Sequence, residues 1–108
     1  MSKSTAEILF CKHLIELGMD FTQEVRFHRL RKWRFDFLLD SGIAIEIDGY
    51  HNGRHGAGWG ADNDKRNAAT MMGYRVLTFS TTDVLKGRAK AFLAEHLKAN
   101  KTRKYCLH

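Results

Sequence analysis

No stretch of this sequence approaches the roughly 18 consecutive apolar residues of a membrane-spanning helix. Its N-terminus, MSKSTAEILF, lacks the basic-then-apolar pattern of a secretory signal, so a cytoplasmic protein is expected. Cysteine is scarce: Cys11 and Cys106 lie near opposite ends, and neither has a partner at metal-ligand spacing. Both read as free thiols of a reducing compartment, not as a disulfide framework. Proline is absent, which carries no functional information. Neither the Walker nor the dinucleotide glycine spacing is present, so no nucleotide cofactor is expected.

What is present suits one soluble domain over residues 1–108, with a basic tail from about residue 100. Hydrophobic residues make up 44% and charged residues 28%, enough for one modest core. The formal net charge is +6, which favours a polyanionic partner, nucleic acid first.

The stretch WRFDFLLDSGIAIEIDGY, Trp33 to Tyr50, predicts a β-hairpin. Trp33, Phe35, Phe37 and Leu39 alternate onto one face, Asp40-Ser41-Gly42 makes a turn, and Ile43, Ile45 and Ile47 alternate again. A three-residue loop pairs Leu39 with Ile43, which brings Asp36 opposite Glu46 and Arg34 opposite Asp48. Directly opposed side chains have β-carbons about 4.5–5.5 Å apart. Two carboxylates that close repel, and a divalent cation between them removes the conflict. The hairpin therefore predicts a Mg2+ (or Mn2+) site acting on phosphodiesters.

Around it, Ser4 to Leu17 reads as a helix, with Ser4-x-x-Glu7 as a capping box. Glu7 either only caps this helix or also reaches the acidic cluster. A first strand lies within Phe21 to Arg29, with Glu24 turned either toward the acidic face or into solvent. The run His28-Arg29-Leu30-Arg31-Lys32-Trp33-Arg34 is either a solvated turn or a phosphate-contact patch. Gly49 to Ala61, GYHNGRHGAGWGA, reads as a mobile glycine-rich loop holding His51, Arg54 and His55. His51 and His55 stand four apart, a zinc spacing that lacks further ligands; a catalytic histidine beside the carboxylates is the other reading.

Asp62 to Met72 predicts a helix carrying Lys65 and Arg66, with Ala68, Ala69, Met71 and Met72 packing inward and Gly73 as its stop. Tyr74 to Phe79 reads as a strand. Ser80-Thr81-Thr82-Asp83 opens a last helix to about Ala99, followed by a frayed tail. The order α-β-β-β-α-β-α predicts an α/β fold, a mixed sheet flanked by helices.

That order, with Asp36 in RFDF, Glu46 in AIEID, and YRVLTF followed by Thr82-Asp83-Val84, resembles the PD-(D/E)XK nuclease superfamily with its restriction-endonuclease-like fold. The likeness runs from Glu7 to Val84. It is nearest to small phage-type Holliday junction resolvases and the Vsr-like short endonucleases. The resemblance implies a metal-dependent endodeoxyribonuclease in a bacterial or phage-infected cell, acting in DNA recombination or repair. Asp36 and Glu46 would hold the metal, joined by Glu7 and the Ile47 carbonyl. One departure stands out: the superfamily lysine two residues after the third-strand acid is replaced by Asp48. Lys65 reaching back from the following helix, or His51, would take its role. Asp48 is either a further ligand or the ion-pair partner of Arg34. Basic residues His28, Arg29, Arg31, Lys32, Arg34, Arg54, His55 and Arg66 are the expected DNA contacts, on branched or double-stranded DNA. Junction resolution needs two symmetric cuts, hence a homodimer or a recruited second copy. The missing lysine also admits a non-catalytic DNA-binding module, and the Vsr-like likeness a mismatch-nicking enzyme.

Overall fold

The computed structural model describes residues 4–48 and 55–106, with side chains described for residues 4–48 and 63–97. Helix α1 (Thr5–Glu16) is followed by strands β1 (Phe21–Arg26), β2 (Arg34–Leu39) and β3 (Ile43–Asp48). Then come α2 (His55–Met71), β4 (Arg75–Ser80), α3 (Thr81–Leu85) and α4 (Arg88–Cys106). The sheet order is β1-β2-β3-β4, with β1, β2 and β3 antiparallel and β4 parallel to β3. This is the expected mixed α/β sheet flanked by helices. No helix among the described residues is long and apolar enough to cross a membrane.

The hairpin forms as its sequence dictates. The Gly42 N–H donates to the Leu39 carbonyl at 2.9 Å, and Gly42 has φ +92°, which suits a residue without a β-carbon. Phe37 pairs with Ile45 and Leu38 with Ala44. Continued along the strands, that register brings Asp36 level with Glu46.

Two clusters form the core. One joins Phe10 and Leu14 of α1 to Phe37, Leu39, Ile45, Phe79, Val84 and Leu93. The other joins Phe27, Phe35, Ala44 and Ala69, with Trp33, Leu38, Tyr74 and Val76 against them. The expected single row of Trp33, Phe35, Phe37 and Leu39 is therefore divided: Trp33 and Phe35 go to one cluster, Phe37 and Leu39 to the other. The neighbouring strand is irregular at the same level. Val25 pairs with Phe35 and Gln23 with Phe37, so Glu24 and Asp36 share the rung between them. Glu24 has φ +53°, rare outside glycine, and breaks the extended alternation there. Phe21 and Phe27 of the β1 side divide between the two clusters in the same way.

Three further expectations are corrected. Helix α2 begins at His55, inside the stretch expected to be a loop, since glycine weakens a helix by about 1 kcal/mol each without forbidding it. The last helix is two: α3 ends at Leu85 with Lys86 as its cap, and Gly87, at φ +78°, separates it from α4, which continues to Cys106 where fraying was expected. Met71 and Met72 are exposed, Met71 at 86%, and Ala69 makes the inward contact instead. Its small side chain lets the helix lie close to Ala44.

Candidate active site

The candidate site lies where β2 and β3 bring Asp36 and Glu46 together under α2. The Asp36 Oδ2 accepts a hydrogen bond from the Ile47 backbone N–H at 2.7 Å. This bond takes the place of a ladder contact and fixes the carboxylate against β3. The Lys65 Nζ donates to Glu46 Oε1 at 2.9 Å. Lys65 and Ala69 are four residues apart, hence on one face of α2, so the packing of Ala69 on the sheet aims Lys65 at Glu46. The other Glu46 oxygen, Oε2, is buried and has no hydrogen-bond partner among the described residues.

Burial pushes the Asp36 carboxyl above the ordinary carboxylate range, and the charges of Glu7 and Glu24 push the same way; the Ile47 N–H and Lys65 oppose them. Burial likewise raises Glu46, with the charge and hydrogen bond of Lys65 opposing and the charge of Asp36 adding to it. Asp36 thus feels α1 through Glu7 and α2 through Lys65. It can do so because it occupies the rung at which the strand rows change faces.

Glu7 makes the expected helix cap. Its carboxylate Oε1 accepts from the Ser4 N–H at 3.2 Å, closing the capping box, while its charge bears on Asp36. Asp48 ends β3, and its backbone carbonyl accepts from the Thr81 hydroxyl at 3.5 Å. Of the two readings of Asp48, the ion pair with Arg34 is not found among the described residues; Arg34 pairs with Glu24 at 3.8 Å. The register of β1 on β2, Arg26 opposite Arg34, leaves Glu24 within reach on the side away from β3. His51 and Arg54 lie outside the described residues, as does the side chain of His55.

Among the expected DNA contacts, Arg29 and Lys32 are exposed and Arg31 lies over the Trp33 ring at 4.9 Å. Arg66 donates to the Thr78 hydroxyl at 3.0 Å, and Thr78 pairs with Glu46 across β3 and β4. His28 is engaged within its own turn, where its Nδ1 accepts two backbone N–H groups, so only its other nitrogen is left for a phosphate.

Sequence reasoning left Glu24 open between the acidic face and solvent, and did not place Thr78 at the site. Glu24 would have been put level with Asp36 by carrying the pairing arithmetic one strand further, onto β1. Thr78 needed the parallel register of β4, which no turn fixes.

The donor set fits a divalent cation. Two half-buried carboxylates have raised pKa values, and one Glu46 oxygen lacks a partner among the described residues, so added positive charge relieves them. Among the described residues no three His, Cys, Asp or Glu side chains form a complete cage. Mg2+ does not require one, since one or two carboxylates, waters and substrate phosphates commonly suffice.

Compared with solved structures, the chain is similar to the catalytic domain of the homing endonuclease I-Bth0305I, with a TM-score of 0.66 and 23% identity. The match covers 84% of this chain and 91% of that one, so the two share a fold over most of their lengths. No family model matches the chain, and no curated protein does.

Proposed function

We propose that this chain is an endonuclease that hydrolyses DNA phosphodiester bonds with the help of Mg2+ or Mn2+. The observation that carries the reading is the Lys65 ammonium, held 2.9 Å from Glu46 on one wall of a site whose other wall is Asp36. The fold it shares with a homing endonuclease catalytic domain adds support. The sequence lacks the usual lysine after the third-strand acid, and Lys65 supplies that charge from the next helix.

Asp36 and Glu46 would hold the cation, with Glu7, Asp48 and the Ile47 carbonyl as candidate further ligands. When bound, the metal supplies Lewis-acid stabilisation of charge on the phosphate and lowers the pKa of a water. The chain's own residues do the rest. The Ile47 N–H fixes the Asp36 carboxylate, so its orientation need not be recovered on each binding event. Lys65 places a positive charge where the attacking water and the developing phosphorane charge would lie. Arg66, tied to Thr78, stands beside it to meet a flanking phosphate. Arg29, Arg31, Lys32 and Arg34, with Arg54 and His55, would neutralise neighbouring phosphates, His28 would offer them only a donor from its other ring nitrogen, and binding should fall steeply with salt.

One observation favours a second reading, a DNA-binding module without catalysis: Glu46 already has a cation in Lys65. Labelled linear, mismatched, flap and four-way-junction DNA, incubated with Mg2+, Mn2+ or EDTA, separates the two. We expect metal-dependent cutting, abolished in Asp36→Asn and slowed about 10²–10³-fold in Lys65→Met, the range for removing one positioned charge donor. Tight binding without cutting under either metal would establish the module instead. The same panel assigns the substrate. Preference for the junction, with paired symmetric cuts, fits a resolvase acting as a homodimer; preference for the mismatch fits a nicking enzyme.

A further inference from the structure

The turn between β1 and β2 places a large apolar side chain in water for no structural reason. Leu30 is 86% exposed at its tip. A single exposed leucine is ordinary by itself. This one is carried on a braced turn. The Nδ1 of His28 accepts the Leu30 N–H at 3.1 Å and the Arg31 N–H at 3.0 Å, folding the backbone tightly beneath the tip. Arg31 covers the Trp33 ring, Trp33 stacks toward Phe27, and Phe27 lies flat on Phe35 with centroids 4.0 Å apart. The tip thus rests on an aromatic column that ends in the second core cluster.

Its chemistry is one-sided. Arg29, Arg31 and Lys32 surround Leu30, and no acidic residue occurs from Phe27 to Trp33. An apolar protein surface would gain one leucine and meet three cations. Double-stranded DNA offers both counterparts, phosphates for the cations and stacked bases for the leucine. The position also fits. Phe37 opposite Ile45 puts Arg34 level with Asp48, so the turn leaves the sheet at the end where Asp36, Glu46 and Lys65 are gathered.

We propose that this turn is a DNA-distorting finger, in which Leu30 enters as a wedge between neighbouring base pairs and His28 holds the turn in shape for it. The inference rests on the reading of this chain as a protein that acts on DNA. Leucine is among the apolar side chains that part base steps in this way, with cations on the adjoining phosphates. Leu30 contacts the nucleic acid; His28 is a positioning residue. Unstacking at a fixed distance from the scissile phosphate would let the site prefer DNA that is already loosely stacked, because such DNA resists least.

The test uses the full chain carrying Asp36→Asn, so that DNA is bound without being cut, and short duplexes with 2-aminopurine at successive positions. We expect fluorescence to rise at one base step, and the rise to be lost in Leu30→Ala and in His28→Ala. His28→Asn should restore it, because the Asn Oδ1 occupies the place of Nδ1 and accepts the same backbone N–H groups. In the cutting-competent chain, Leu30→Ala should slow cleavage of fully paired DNA while leaving a duplex with a mismatch at that step nearly unaffected. Binding and cutting without any 2-aminopurine response would overturn the finger and leave the nuclease reading intact. A response without cutting under Mg2+ or Mn2+ would uphold the finger and remove the nuclease reading. Failure to bind DNA at all would overturn both.

Discussion

On the α1 side of the sheet, Phe10, Leu14, Phe37, Ile45, Phe79, Val84 and Leu93 close into a cluster without a charged member. On the α2 side, the shorter row of Ala44 and Ala69 leads directly to Glu46 and Lys65, and the Glu46 side chain keeps 25% of its exposure. One sheet thus has a sealed face and a face that is left open at one end. The sealed face supplies the apolar burial that a 108-residue chain needs. That allows the other face to hold half-buried carboxylates whose desolvation works against the fold. Asp36 joins the two, because the strand rows exchange faces at its rung.

The sharpest way to break this comparison is to truncate each face in turn. Phe37 is almost wholly buried and packs edge-on against Phe10 with centroids 5.0 Å apart. Phe37→Ala should cost about 3–5 kcal/mol, the range for removing a buried aromatic and leaving a cavity. Trp33, half-buried on the other face, should cost clearly less on truncation despite its greater size. The check is the urea midpoint of each variant at unchanged slope. Equal losses would mean that stability is shared by both faces.

A second measurement acts on the open face alone. Asp36 and Glu46 both have raised folded-state pKa values. The native state therefore binds their protons more tightly than the unfolded state, and stability falls as pH rises from the ordinary carboxylate range through the raised values. Asp36→Asn combined with Glu46→Gln removes both charges. Its stability relative to wild type should be unchanged in acid and should improve toward neutral pH. Glu16 and Asp83, whose pKa values are lowered, give the opposite slope, but they do so in both proteins and cancel. Added Mg2+ should reverse the ranking: at a hundredfold excess over its Kd it would stabilise the wild type by about 2.7 kcal/mol and the variant not at all. Thermal unfolding across pH, with and without Mg2+, reads both effects. A wild type indifferent to pH in this window and to Mg2+ would remove the metal from the proposal.

The two faces also differ in how far the sequence disclosed them. Asp36 opposite Glu46 was legible because a three-residue loop with Gly42 fixes the register, and every later rung follows by counting. Lys65 was legible only as one of two candidates. Aiming it at Glu46 needed the phase of α2, which depends on Ala69 and not on the methionines that hydropathy favours. The exchange of faces was not legible. Alternation assumes an unbroken extended backbone, and a glutamate at φ +53° gives no sign of itself in sequence. Arg34, one of whose readings was a pair with Asp48, instead pairs with Glu24, since the register of β1 on β2 was not legible either. Gly87 was visible but was read as part of a continuous helix, since an isolated glycine weakens a helix without necessarily ending it.

The smallest expected effect tests what sets the register. Gly42 lies at φ +92°, and a β-carbon built there meets nothing within 4 Å, so a substitution suffers backbone strain without a clash. Left-handed backbone costs an L-residue about 1–2 kcal/mol, and Gly42→Ala should destabilise by that amount. Gly42→Asn should recover part of it, because asparagine tolerates this conformation better. Phe37 and Ile45 are each locked into the sealed core, so the pairing of Asp36 with Glu46 should survive a strained turn. The folded fraction of Gly42→Ala should then keep its DNA-cutting rate. A rate that falls further than the folded fraction would show that the turn, and not the packing of Phe37 and Ile45, holds the two carboxylates in step.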